Sequence, residues 1–313
     1  MAYDVSARFS NTGVGTLLSE TYWVPAIKDE FPMYTFWSQF LSQTWGDANI
    51  MGQGELFKVS YLNKLGVAST PLTAGTPIAT IDGTGLAQVT GTLKEYGNSE
   101  RITSFAEWCS SIDLQKASGI SMARNAIETK DYLVGAAAAA TTRTYVVNGT
   151  DTIVRNGTIA QGTVALNSTT VQAIATDLRK MGIPTFADGL YRWVGAPGTF
   201  DALKAAGIVY QSAAELGMPG LYTTGLIIKY AGFLFIEEMG AGAVTQTGTW
   251  SLILGADPVV GYDNFMRPDL IKIYPDDQND GGRSAKILWN GIAGYTIPVS
   301  GVANSRVWKV YSA

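Results

Sequence analysis

The sequence predicts an α+β protein on three observations. A low-charge, alanine-rich stretch from about Asp113 to about Thr142 has the composition of one long helix. Residues 54–93 carry the two-residue alternation of paired strands, and residues 166–249 alternate short helical and strand patterns. At about 1.5 Å per residue, a helix of roughly 30 residues spans about 45 Å, well over twice the ordinary length.

In chain order, residues 1–40 begin polar and turn aromatic, with Tyr22, Trp23, Phe31, Tyr34, Phe36, Trp37 and Phe40. They read as an extended arm, with a helical patch where Trp37, Phe40 and Leu41 share a face. Phe57, Val59 and Tyr61 alternate with Leu56, Lys58 and Ser60, the signature of a strand, and Ala87–Leu93 reads as its returning partner. Residues 65–92 hold a single charge, Asp82. A long two-stranded excursion rich in Thr, Gly, Ala and Pro is poorly able to bury itself and needs cover from elsewhere.

In the long helix, Ile120, Ala123, Ile127 and Val134 predict one apolar stripe, and Gly119 marks a place for a break or kink. The alanines after Gly135 allow close approach of another backbone. Asn148, Asn156 and Asn167 match glycosylation acceptors but read as turn residues. Val171, Ile174, Ala175 and Leu178 predict an amphipathic helix capped by Ser168 or Thr169 and ended by Gly182 and Pro184. A strand over Tyr191–Val194, short helices over 199–206 and 211–216, and two strands around Tyr230–Gly232 complete this unit. The remainder, 250–313, predicts four strands in one sheet beside the long helix.

Composition restricts function. Of 313 residues, 46% are hydrophobic and only 15% charged, where about 25% is usual, which fits extensive burial in subunit contacts. A net charge of −4 argues against gripping nucleic acid by counterion release. Without histidine, imidazole bases, Ser-His-Asp and Cys-His machineries and His-ligated metals are excluded. Cys109, the one cysteine, reads as a small buried hydrophobe in a reduced compartment. The N-terminus shows no secretory signal pattern, and no apolar run is long enough for a transmembrane helix.

Chemistry-bearing motifs are absent: no phosphate-binding glycine loop and no nucleophile elbow occurs. The Asp276-Asp277-Gln-Asn-Asp280 cluster lacks the spacing of a calcium loop and reads as a solvated turn. Glu237–Glu238 lacks a pocket signature for acid–base work. Arg101, Arg124, Lys130, Arg143, Arg155 and Lys180 form no basic run. No catalytic, cofactor-binding or metal-binding residue is assigned, no cofactor is expected, and the chain reads as a non-enzyme.

The order of parts resembles the tailed-bacteriophage major capsid protein family, specifically its podovirus-like members. The resemblance rests on Gly54-Glu-Leu-Phe-Lys-Val59, Glu95-Tyr-Gly97 with Ser104, Ala140-Thr-Thr-Arg-Thr-Tyr145, Gly189-Leu-Tyr-Arg-Trp-Val194 and Gly225-Leu-Ile-Ile-Lys-Tyr-Ala-Gly232. It covers nearly the whole chain and is distributed rather than carried by one motif. It implies an N-terminal arm (1–40), an extended loop (54–93), a peripheral domain (41–53, 94–165 and 250–313, with the spine helix at about 113–142) and an axial domain (166–249).

The resemblance implies the function of a shell subunit that assembles into pentamers and hexamers of an icosahedral head around double-stranded DNA. It implies a virion protein assembled in the host cytoplasm. Its partners would be copies of itself, a portal, decoration proteins, a separate scaffolding protein (the chain opens directly on the arm) and DNA held nonspecifically, with no membrane. Some relatives cross-link through Lys and Asn; Lys64 is a conceivable donor, but no acceptor or activating carboxylate accompanies it. Two other readings stay open: a decoration or tail component, and an enzyme working through Asp, Glu or Lys.

Overall fold

The structure, a computed structural model, describes residues 36–45, 55–62, 86–110, 113–148, 153–155, 164–196, 198–205, 227–238, 250–265, 271–275, 283–298 and 305–312. A 3-10 turn (Trp37–Phe40) leads into β1 (Leu41–Trp45), β2 (Leu56–Leu62), β3 (Leu86–Thr92), β4 (Lys94–Thr103), the short helix α1 (Ser104–Cys109) and the long helix α2 (Leu114–Ala139). β5 (Thr144–Val147), β6 (Ile153–Arg155), α3 (Ser168–Lys180), β7 (Tyr191–Gly195), α4 (Asp201–Ala205), β8 (Ile227–Tyr230) and β9 (Phe233–Glu237) follow. The last strands are β10 (Trp250–Leu254), β11 (Val259–Asp263), β12 (Ile271–Pro275), β13 (Ser284–Thr296) and β14 (Val307–Tyr311). This is the α+β mixture the sequence predicts.

The chain divides into two compact units, one of residues 1–38, 94–133 and 263–293, the other of 39–93, 134–262 and 294–313. In the second, seven strands form a sheet in the order β6-β5-β14-β10-β7-β9-β8. Aromatic residues dominate its core. Trp193 is fully buried and meets Phe233 and Phe235 at ring-centroid distances of 5.0 and 5.2 Å. Tyr145 stacks on Trp308 at 4.7 Å. Each polar tip finds a partner, as burial requires: Trp193 Nε1 donates to Ser251 Oγ, Trp308 Nε1 to the Ser305 carbonyl and the Tyr191 hydroxyl to the Ile183 carbonyl.

Helix α3 packs the predicted Val171, Ile174, Ala175 and Leu178 into this core. Its cap is neither Ser168 nor Thr169. Asn167 accepts from the Thr170 amide at 2.8 Å while Thr170 Oγ1 accepts from the Asn167 amide, a reciprocal box that a Thr three residues on can close. Gly182 ends the helix with φ +69 as expected.

In the first unit β13 is flanked by β4, paired antiparallel from Ser284↔Thr103 to Ala293↔Lys94, and by β12. The four strands predicted over 250–313 therefore do not share one sheet. β10 and β14 pair with each other in the seven-stranded sheet, while β12 and β13 pair with each other outside it. Trp250–Leu254 and Val307–Tyr311 are buried along most of their length, as a central position demands, whereas β13 alternates.

Helix α2 is continuous through Gly119 for 26 residues, about 39 Å. Its buried positions are not the predicted stripe. Val134 is buried, but Ile120 is 47% exposed and Ala123 and Ile127 are only half-buried. The buried positions are Ser118, Met122, Ala126, Val134 and Ala138, which lie multiples of four residues apart in a line, with Asp131 and Gly135 beside that line. A four-residue step overshoots one turn by about 40°, so this line winds roughly 200° around the helix from Ser118 to Ala138. A straight-stripe reading cannot find a face that turns.

Candidate functional site

The clearest candidate surface is the ribbon of β2 and β3. They pair antiparallel in register from Leu56↔Thr92 to Leu62↔Leu86, with Phe57 facing Gly91. The alternation read from Phe57, Val59 and Tyr61 produces the expected strand. Phe57 is 6% exposed and forms the root of the ribbon. Its ring fills the space that a side chain at Gly91 would take, and it lies 2.9 Å from where a Cβ on Gly294 would stand. The Leu93 amide donates to the Glu55 carbonyl at 2.8 Å, closing the root. Along the ribbon, Leu56, Lys58, Ser60, Gln88 and Thr90 are exposed. Phe57 is buried at the root and Val59, the next residue on its face, is half-buried, while Leu56 on the opposite face reaches solvent.

The first unit exposes further apolar side chains. Trp108 is 84% exposed, and Phe105, Ile120, Tyr132 and Ile292 also reach solvent. Cys109, expected to be buried, is exposed. The reason is local: α1 has six residues and buries only Ala106, leaving Trp108 and Cys109 outside.

The charged candidates are used locally. Glu237 pairs with Lys204, which also meets Asp201 at 3.2 Å, and this ties β9 to α4. Desolvation works against the Lys204 ammonium, but hydrogen bonds from it to Glu237 and Asp201 outweigh this and raise its pKa. Lys130 meets Asp263 at 3.1 Å, and Arg155 meets Asp177 at 3.6 Å. Arg155 and Asp177, with Lys180, Gln172 and Thr176, line an open groove of about 600 Å³ between α3 and β6. Burial, and then the hydrogen bond it donates to Asp177 at 2.8 Å, push the Tyr145 phenol above its ordinary range.

Among the described residues no group of three or more His, Cys, Asp or Glu is placed to hold a metal ion, and no helix is long and apolar enough to cross a membrane. Lys64, Asn156, the Asp276–Asp280 cluster and the helix expected at 211–216 lie outside the described residues. Sequence reasoning missed Asp131, whose carboxylate is 93 residues from the Ser38 amide it binds. Its only signal was a carboxylate shortly before the run of alanines.

No protein-family model matches the sequence, and no curated protein matches it. Solved structures match it over nearly its whole length. The acid-stable capsid of Helicobacter pylori bacteriophage KHP30 aligns over 94% of this chain and 95% of its own, with a TM-score of 0.66 at 13% identity. The capsid asymmetric unit of cyanophage Pam1 aligns over 94% and 96%, at 0.64 and 15%. A structure from Mycobacterium phage Che8 aligns over 93% and 96%, at 0.64 and 12%. The chain has the fold of tailed-phage capsid proteins.

Proposed function

We propose that this chain is a major capsid protein, the subunit that builds the icosahedral shell of a tailed phage. The observation that carries the proposal is the fold match, which extends over almost all of this chain and of each capsid chain alike. The exposed Trp108 and Leu56 support it, since large apolar side chains left in solvent on one subunit suit a surface that another subunit covers. So does the 15% charged share, because interface cores are depleted of charge.

In this reading residues 1–40 are the arm and 54–93 the extended loop. Residues 41–53, 94–165 and 250–313 are the peripheral domain with α2 as its spine, and 166–249 are the axial domain. The chain works as a structural protein rather than an enzyme. Its partners are other copies of itself in hexamers and pentamers, with a scaffolding protein, a portal and decoration proteins, and DNA enclosed without sequence readout. Assembly takes place in the host cytoplasm and the product is a virion component.

Negative-stain microscopy and sedimentation of the purified protein, alone and coexpressed with its scaffold, test this. Closed particles, pentamers or hexamers are the expected result. A protein that stays monomeric under every assembly condition would overturn it. Binding only to preformed heads or tails would assign it to decoration or tail instead.

A further inference from the structure

Asp131 sits inside α2 and is 7% exposed. A carboxylate at a buried helix position is expensive unless its charge is compensated. Among the described residues no cation faces it. Three donors from the segment entering the 3-10 turn do so instead. The Phe36 amide reaches Oδ2 at 3.0 Å, and the Ser38 amide and hydroxyl reach Oδ1 at 2.7 and 2.8 Å.

Trp37, between those two residues, is 1% exposed, and its ring meets that of Phe36 edge-on at 5.3 Å. Both carboxylate oxygens and a buried indole thus hold three consecutive residues. Ordinary packing would need only the indole. The carboxylate adds direction, because two backbone amides aimed at one group fix the path of the chain between them.

We propose that Asp131 is a positioning residue for the segment Phe36–Ser38: it fixes where, and in which direction, that segment lies on the long helix. Its consequence for assembly rests on the shell reading. A segment held in one direction presents the same surface in every subunit, whereas a loose one presents several.

Amide hydrogen exchange on the full chain tests the anchor directly. Asp131→Asn retains one oxygen, which the two Ser38 donors can claim, and turns an NH₂ toward the Phe36 amide. Exchange at Phe36 should rise roughly ten- to hundredfold, the range of a charged hydrogen bond, with less change at Ser38. Asp131→Ala should free both amides, and Ser38→Ala should leave both protected. A melting temperature near wild type for Ser38→Ala and Asp131→Asn separates this from general unfolding.

In assembly, Asp131→Asn should give fewer and less uniform particles than wild type. Unchanged exchange at Phe36 in both Asp131 variants would overturn the anchor. Freed amides with wild-type particle yield and size would overturn its role in assembly. If wild-type protein forms no particles, the shell reading fails while the exchange data still decide the anchor.

Discussion

Lys204 shows what a single residue can and cannot announce in a sequence. The Glu237–Glu238 pair read from the sequence had no visible partner, yet Glu237 meets a lysine 33 positions earlier. Lys204 has a raised pKa in the folded chain, so its contribution to stability is complete below the ordinary lysine pKa of about 10.4 and fades as pH rises through the higher folded value. Urea unfolding of wild type and Lys204→Met between pH 8 and 11.5 should show the wild-type advantage shrinking only at the alkaline end. An advantage constant to pH 11.5 would contradict the linkage. Cys109 teaches the opposite lesson. Apolar identity predicted burial, but helix α1 is too short to bury more than one side, and only the fold supplies its length.

At the scale of elements, legibility followed periodicity. The alternating ribbon was visible from its two-residue period, the strands around Tyr230–Gly232 from the turn between them, and the amphipathic α3 because one face meets one core. The polar β4 was not, since most of its ten positions are exposed and it carries Lys94, Glu95, Glu100 and Arg101. Its evidence lies in the ladder to β13, which is set by residues nearly two hundred positions away. The winding buried face of α2 escaped for the same reason. The ribbon offers a sharper test. Phe57 occupies the space above Gly91, so Phe57→Ala removes buried area, about 3 kcal/mol by analogy with core truncations, and Gly91→Ala forces the ring out. Because both act through one contact, the double variant should be less destabilised than the sum of the singles, by about 0.5–3 kcal/mol. Exchange of the ribbon amides would measure it, and strict additivity would show that the ring does not rest on Gly91.

At the scale of the molecule, the order of ribbon, long helix and mixed helix–strand segment was legible while the partition of strands between sheets was not. The terminal strands look alike in sequence, yet the central β10 and β14 share their sheet with β5 and β7 while β12 and β13 do not. Which strand enters which sheet depends on long-range pairing that no local pattern encodes. What the order does specify is an excursion that leaves the chain at Phe57 and returns at Gly91, with one aromatic ring as its root. In the shell reading its outer part belongs to a neighbour's surface, and the subunit's own stability should not depend on it. Deleting residues 66–86 should therefore leave the melting temperature and near-ultraviolet spectrum of the aromatic core close to wild type. Closed particles should be lost, leaving free subunits or small oligomers in sedimentation and micrographs. A deletion variant that closes normal shells would remove the ribbon from the subunit interface, and one that fails to fold would show that the excursion serves its own chain. The pairing of an intact core with failed closure separates a surface made for a neighbour from one made for the subunit itself.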